Sequence, residues 1–438
     1  MTLSRRSFLA GAAAAATPGF WQWAYGGPAR SGAGPYGPLR PADANGLMLP
    51  AGFRSRVVGR SGLTVQGTGR IWHGAPDGGA TFPTPESDAW VYVSNSEAPA
   101  GLGGASAIRF DSRGTITQAY AILTGTTGNC AGGPTPWGTW LSCEETDTGR
   151  VWECDPFGLQ PAVARPAMGV FAHEAAAVDP TGHHVYLTED KPDGRLYRFT
   201  PSRWPDLGAG SLEAAVVTAD RVTWVTVPDP RAASVPTRHQ VPRSTSFSGG
   251  EGIWWADGTV WFTTKGDNHV RAIDTVTGRM EVVYDPASAG PDAPLSGVDN
   301  IVAASPSGDL YVAEDGGNME LVVITSERVV APFLRLVGHD RSELTGPAFD
   351  PSGSRLYFSS QRGVVGQSAG VTFEVRGPFR RARSSSTSPS PTTTIAAAAT
   401  SGRRDDDTPR RLVGAAGVAA AVGAALAVRR RHQKGDPT

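Results

Sequence analysis

The sequence predicts an all-β fold, a six-bladed β-propeller, on three observations. A strand-like segment recurs six times within residues 40–379, Gly (55) and Pro (35) are abundant, and no helix-length amphipathic pattern separates the recurring segments. Gly and Pro are the costliest residues inside helices, so a bundle or coiled coil is disfavoured, whereas many short strands joined by tight turns are not. The six segments are Trp90-Val91-Tyr92-Val93, Thr139-Trp140-Leu141-Ser142, Val185-Tyr186-Leu187-Thr188, Val260-Trp261-Phe262-Thr263, Leu310-Tyr311-Val312-Ala313 and Leu356-Tyr357-Phe358-Ser359. Each is rich in β-branched or aromatic residues, as strands are. Their central aromatics lie 48, 46, 75, 50 and 46 residues apart, the length of a four-stranded blade. The long step contains residues 201–248, rich in Pro and Arg, which read as an insertion. Turn signals such as Asp179-Pro180-Thr181-Gly182 and Asp350-Pro351-Ser352-Gly353 put Pro second and Gly fourth, as a type I turn prefers.

The two ends read differently. Ser4-Arg5-Arg6-Ser7-Phe8-Leu9, followed by the run Ala10–Ala16, has the form of a twin-arginine (Tat) export signal within residues 1–30. Tat substrates cross the membrane folded, often with a cofactor already loaded. Residues 380–411 are Ser/Thr/Pro/Ala/Arg-rich and read as a disordered linker. Leu412 to Val428 is an uncharged run of 17 residues, the short limit for a membrane span. Arg429, Arg430 and Arg431 follow it, so residues 412–431 read as a C-terminal anchor with a basic stop and residues 432–438 as a cytoplasmic tail. The expectation is an extracytoplasmic monomer held at the cell membrane. A formal net charge of −1 gives no basic field for nucleic acid. Three cysteines make no disulfide framework, although Cys143 and Cys154 could pair after export or remain small buried residues.

In a propeller the innermost strands line the channel, and residues at one end of them converge. Several repeats begin that strand with a potential ligand: Cys130, Glu174, Glu251, and Asp299 or Asn300. Acids also follow the aromatic strand: Glu97, Glu144 and Glu145, Glu189 and Asp190, Asp267, and Glu314 and Asp315. Because the hairpin returns the chain, both sets are expected at the same mouth. Clustered carboxylates repel one another and need cations. Oxygen donors suit Ca²⁺ or Mg²⁺, and a thiolate among them suits a transition metal. His173, beside Glu174, is read as orienting that ligand. Lys265 and Arg362 occupy slots where other blades carry an acid, so a substrate anion at the mouth would meet positive charge there; charge balance among the carboxylates is the alternative.

These residues resemble the PhoX family of exported alkaline phosphatases, in a short-core form. The resemblance rests on the stretch from Asn129-Cys130-Ala131-Gly132-Gly133 to Ser142-Cys143-Glu144-Glu145, on His173-Glu174-Ala175 through Glu189-Asp190, and on Gly250-Glu251-Gly252, Asp299-Asn300-Ile301, Glu314-Asp315-Gly316 and Leu344-Thr345-Gly346-Pro347. It covers roughly residues 40–379. It implies a six-bladed propeller with iron (two ferric ions) and calcium at the channel mouth, hydrolysing small phosphomonoesters with a metal-bound oxygen as nucleophile. Carried over by motif, Cys130 and Glu145 or Glu144 would bind iron, together with glutamates among Glu174, Glu189 and Glu251. Asp190, Glu314 and Asp315 would hold calcium. Asn95-Ser96-Glu97 stands where the family pattern expects Asn-His-Glu.

The rival expectations are a propeller lactonase or other calcium hydrolase, and a surface-anchored binding propeller without enzymatic activity. Neither calls for a thiolate in the ring. No P-loop is visible, nor a Gly-x-Ser-x-Gly elbow where a hydrolase would carry it.

Overall fold

The computed structural model describes residues 26–381, apart from positions 86, 305–306 and 367–368. The twin-arginine motif, nearly all of the linker, and the expected anchor lie outside the described residues. Among the described residues, no helix is long and apolar enough to cross a membrane.

Six sheets, antiparallel except for the short parallel pairing of Arg30–Ser31 with Val329–Leu336, form the blades of a propeller. Their innermost strands are Pro76–Pro83, Asn129–Pro134, His173–Asp179, Gly250–Ala256, Val298–Ala303 and Leu344–Phe349. Each of these touches the next, and the sixth touches the first, so the ring is closed. The six aromatic segments found in the sequence form or open the second strands, and Trp140, Tyr186, Trp261, Tyr311 and Tyr357 are buried between blades. Closure uses both chain ends. Arg54–Arg60 pairs with Val371–Arg376 as the outer strand of the sixth blade. There Glu374, almost fully buried, accepts hydrogen bonds from Arg56, Arg355 and Tyr357. The Arg56–Glu374 ion pair and the strand pairing join the N-terminal strand to the C-terminal hairpin, so the last blade forms only when the two segments meet.

The inner strands approach one another so closely that small residues are required. A Cβ on Gly133 would fall on the carbonyl oxygen of Ala176, and one on Gly78 would fall on Ala131 of the next blade.

One expectation changes, and one of two open readings holds. Residues 201–248 are only partly an insertion. Leu196–Arg203 and the long strand Asp206–Thr218 belong to the third blade itself, and what is added is a fifth strand, Arg221–Thr226, and the loop up to residue 249. Cys143 and Cys154 are free and buried. In their hairpin Cys143 sits opposite Val151 and Cys154 opposite Trp140, three rungs apart, so they serve as packing residues.

Candidate metal centre

All six inner strands break register at the same place. The interruptions fall between Pro76 and Gly79, Asn129 and Gly132, His173 and Ala176, Gly250 and Ile253, Val298 and Ile301, and Thr345 and Ala348. A bulge frees residues from the ladder and re-aims their side chains. In five blades the first freed residue is Asp77, Cys130, Glu174, Glu251 or Asp299. All five are buried, and Glu174 is fully so.

A second, half-buried ring comes from the residue just after the second strand: Glu97, Glu145, Asp190, Lys265 and Asp315, with Gln361 buried in the sixth blade. Glu343 is added from the segment leading into the sixth inner strand. Ligand atoms gather within 4.8 Å of one another in four overlapping groups: Cys130 with Glu145 and Glu174, Asp77 with Glu97 and Glu343, Glu174 with Glu251 and Asp299, and Asp299 with Asp315 and Glu343.

The electrostatics are those of an uncompensated anionic site. Burial raises Asp77, Glu174, Glu251 and Glu343 well above the usual carboxylate range, and their acidic neighbours raise them further. Burial, then Asp190 and Glu97, push Glu145 from 4.5 up to about 8. Burial, with Asp77 and Glu174 next, pushes the Cys130 thiol upward. Two cations answer these acids. Lys265 Nζ lies 2.8 Å from Glu251 and 3.1 Å from Asp315. Arg362 lies 2.9 Å from Glu343 and 3.7 Å from Asp315. Glu174 Oε2 is buried without a hydrogen-bond partner. Unpaired buried carboxylates of this kind must be protonated or coordinated to a cation.

Neutral hydrogen bonds set the geometry. Asn95 donates to the carbonyl oxygens of Ala131 (2.7 Å) and Cys130 (3.2 Å), and it accepts from Trp140 Nε1 and Ser142 Oγ, both at 2.9 Å. It thereby fixes the bulge that presents Cys130. Asn300 does the same across the channel: Oδ1 accepts from the Gly346 amide at 2.6 Å, and Nδ2 faces Asp299 (2.9 Å) and Glu174 (3.4 Å). Gln361 donates to Asp77 at 2.6 Å and also to Glu97.

Of the residues singled out from sequence, Cys130, Glu97, Glu145, Glu174, Glu251, Asp299 and Asp315 come together in these groups. Asp190 stands near enough to raise Glu145, Glu251 and Asp299. Asn300 braces the centre through its amide. Glu144, Glu189 and Glu314 end their strands one residue earlier and point away from the channel. Glu144 accepts from the amides of Thr127 and Arg150, Glu189 from the Arg195 amide and Tyr197, and Glu314 from the amides of Ser296 and Glu320. These three carboxylates brace loops. Asp267 is tied to Thr264 and Arg271. His173 stacks on Phe171 and its Nε2 meets the Gly169 carbonyl, so its hydrogen bond does not go to Glu174. Asp77 and Glu343 were not anticipated. Asp77 carried a signal, since Asp77-Gly78 matches Cys130-Ala131, Glu174-Ala175 and Glu251-Gly252 as a ligand followed by a small residue. Glu343 precedes its inner strand, a slot that is not acidic in the other blades.

The fold and the site define a class: a propeller whose channel mouth collects carboxylates and one thiol in metal-ligand groupings. The profile of the alkaline phosphatase PhoX family matches residues 78–156 and 147–284, the region that supplies Cys130, Glu145, Glu174 and Glu251. Over residues 78–284 the chain is therefore similar to the PhoX family of alkaline phosphatases. No curated protein sequence matches it. Among solved structures it is similar to Pseudomonas fluorescens PhoX in complex with vanadate, a transition state analogue, at 16% identity, covering 77% of this chain and 97% of that one with a TM-score of 0.63. A Bacteroides thetaiotaomicron protein of unknown function is more distant, at 10% identity, covering 74% of this chain and 76% of that one with a TM-score of 0.46.

Proposed function

We propose that the protein is an exported phosphomonoesterase whose activity depends on iron and calcium held at the channel mouth. The observation that carries this reading is the convergence of a buried thiol and buried carboxylates, one of them with an unpaired oxygen, in groups of ligand spacing. The donor set fits the metals. Cys130 with Glu145 and Glu174 mixes sulfur and oxygen, which suits iron. The groups built from Asp77, Glu97, Glu251, Asp299, Asp315 and Glu343 are all oxygen, which suits calcium. Bound there, the metals would supply Lewis acidity and a hydroxide-like nucleophile near neutral pH. The chain's own residues do the rest. Cys130, buried among acids, becomes a thiolate only opposite a cation. Lys265 and Arg362 are the positive side chains at the mouth and would neutralise phosphoryl oxygens as charge builds on them. Asn95 and Asn300 hold two ligand-bearing bulges in place. The twin-arginine motif and the C-terminal apolar run support action outside the cytoplasm at the membrane.

The test is hydrolysis of p-nitrophenyl phosphate by protein as purified, after chelation, and after iron and calcium are added back, with metal content measured in parallel. Activity that requires both metals supports the reading. Protein loaded with both metals and inert towards phosphomonoesters overturns it.

A further inference from the structure

Beside the mouth lies a recess of about 610 Å³ that the chemistry above does not use. Its walls come from the loop 145–150 of the second blade, the segment 166–170, and the added loop of the third blade. Three guanidinium groups line it, those of Arg150, Arg231 and Arg238.

The added loop is built as a wall. Val170 donates its amide to the Pro230 carbonyl at 2.9 Å and accepts from Thr237 Oγ1 at 2.7 Å. Gln240 ties the loop across its base, accepting from the Asp229 amide at 2.8 Å and donating to the carbonyls of Asp229 (2.8 Å) and Val235 (2.9 Å). The Asp229 carboxylate is occupied by the amides of Arg231 and Ala233.

The charges are unequal. Arg238 is paired with Glu189 and Asp193. Arg150 and Arg231 are exposed, and among the described residues no ion pair or side-chain hydrogen bond engages either guanidinium. The acid in the lining, Asp147, is bound at 3.2 Å by Lys191. The recess therefore presents two unengaged guanidinium groups, and these match phosphate or carboxylate with paired N–H donors.

The recess adjoins the mouth: Asp147, in its lining, is two residues beyond Glu145, so their Cα atoms are at most about 7 Å apart.

We propose that this recess is a second anion subsite and that the protein prefers phosphomonoesters whose leaving group carries another phosphate. The inference rests on the phosphatase reading above. The loop that the sequence marks as an Arg- and Pro-rich insertion thereby becomes a specificity element, and Arg150 and Arg231 become its contacts.

The experiment has two arms, both on the full chain with its metals. In the first, kcat/KM is measured for glucose 6-phosphate and glucose 1,6-bisphosphate, in the wild type and in the double variant Arg150→Gln/Arg231→Gln. The wild type is expected to favour the bisphosphate, and the double variant to lose about tenfold of that ratio, mostly through KM, from two partly exposed charge-assisted contacts. An unchanged ratio overturns the subsite and leaves the phosphatase reading standing. In the second arm, inorganic sulfate is added at constant ionic strength and Tm is followed. Sulfate is expected to raise Tm more in the wild type than in the double variant, and equal shifts overturn the subsite. Loss of the sulfate effect in the variant, in a protein that hydrolyses neither ester, supports the anion subsite and refutes only the phosphatase reading.

Discussion

Stripping the metals and changing the pH tests the charge balance of the mouth directly. Glu145 titrates at about 8 in the fold, against 4.5 ordinarily, chiefly through burial. Burial also raises Asp299 to about 7, with Lys265 opposing and Asp315 adding. Asp77, Glu174, Glu251 and Glu343 are also raised well above the usual carboxylate range. A carboxyl with a raised folded pKa keeps a proton that the unfolded chain has released. Its contribution to stability is greatest below the unfolded pKa and declines as pH rises toward the folded one. Outside the mouth, burial raises Glu314 from 4.5 to about 7, so it titrates in the same window and with the same sign. Lys265 is raised from 10.5 and stays protonated, while Asp315 is lowered from 3.8 and stays ionised. Burial depresses His73 and His173 to about 3, so both are neutral in the fold, and their unfolded forms, half protonated at pH 6.5, oppose the trend by only about 0.4 kcal/mol each. Across that window one retained proton is worth about 2 kcal/mol. Glu145 alone supplies about that much, and the other raised carboxyls add with the same sign. The assay is thermal unfolding followed by far-UV circular dichroism after chelation, at matched ionic strength. The stripped protein should melt at a lower temperature at pH 8 than at pH 6.5. The metal-loaded protein should change less, because bound cations keep the mouth carboxylates deprotonated at both pH values. A stripped protein whose Tm is flat or rises with pH would refute the claim that the mouth holds more buried acid than its two cations neutralise.

Cys130→Ser should lower iron content and phosphatase activity together by about 100-fold, since even outer contacts of metal ligands are worth about 10- to 100-fold; metal analysis beside the rate assay checks this, and retained iron would sink it. Asn95→Leu leaves Trp140 Nε1 and the Ala131 carbonyl without their side-chain partner and removes the acceptor of the Ser142 hydroxyl, and should cost about 3 kcal/mol, read as a shift in the urea midpoint. Gly133→Ala places a methyl against the backbone of Ala176 in the next blade and should destabilise by about 2 kcal/mol or more, visible in Tm before any effect on metal binding is considered. Glu314→Gln, by contrast, keeps only one of the two backbone donors through its single amide oxygen and should lower Tm while leaving calcium content unchanged, because that carboxylate serves Ser296 and Glu320.

Much of the fold was legible because a propeller repeats itself. The second strand of each blade must be apolar on both faces to pack between neighbours, so Tyr92, Trp140, Tyr186, Trp261, Tyr311 and Tyr357 recur at blade spacing and announce six units. The closure was not legible. Arg54–Arg60 resembles any short polar-flanked strand, and its pairing with Val371–Arg376 is a contact across the whole chain. The third blade was half-read for a related reason. Asp206–Thr218 alternates Gly, Ala and Ser with apolar residues and lacks the aromatic signature, so it passed for part of an insertion although its apolar residues Leu207, Leu212, Ala214 and Ala215 are buried.

The candidate site was legible down to the strand ends but not to the individual carboxylate, and the difference is one of direction. Sequence spacing places Glu144 and Glu145, Glu189 and Asp190, and Glu314 and Asp315 at the same rim. Successive strand residues point to opposite faces, so within each pair one member faces the channel and its neighbour turns to the loop amides. The bulges decide which is which, and a bulge leaves little trace in composition. Its one trace is the small residue after each ligand. Gly78, Ala131, Ala175 and Gly252 follow Asp77, Cys130, Glu174 and Glu251 because the next inner strand passes close by, as the Gly78–Ala131 and Gly252–Asn300 approaches show. The fifth blade departs from this rule, with Asn300 after Asp299, and there the larger side chain is used: its amide crosses the channel to Gly346 and Glu174. The same close approach that demands small residues thus brings five ligands from five blades within reach of shared cations, and the packing of the ring and the chemistry of the mouth have one cause.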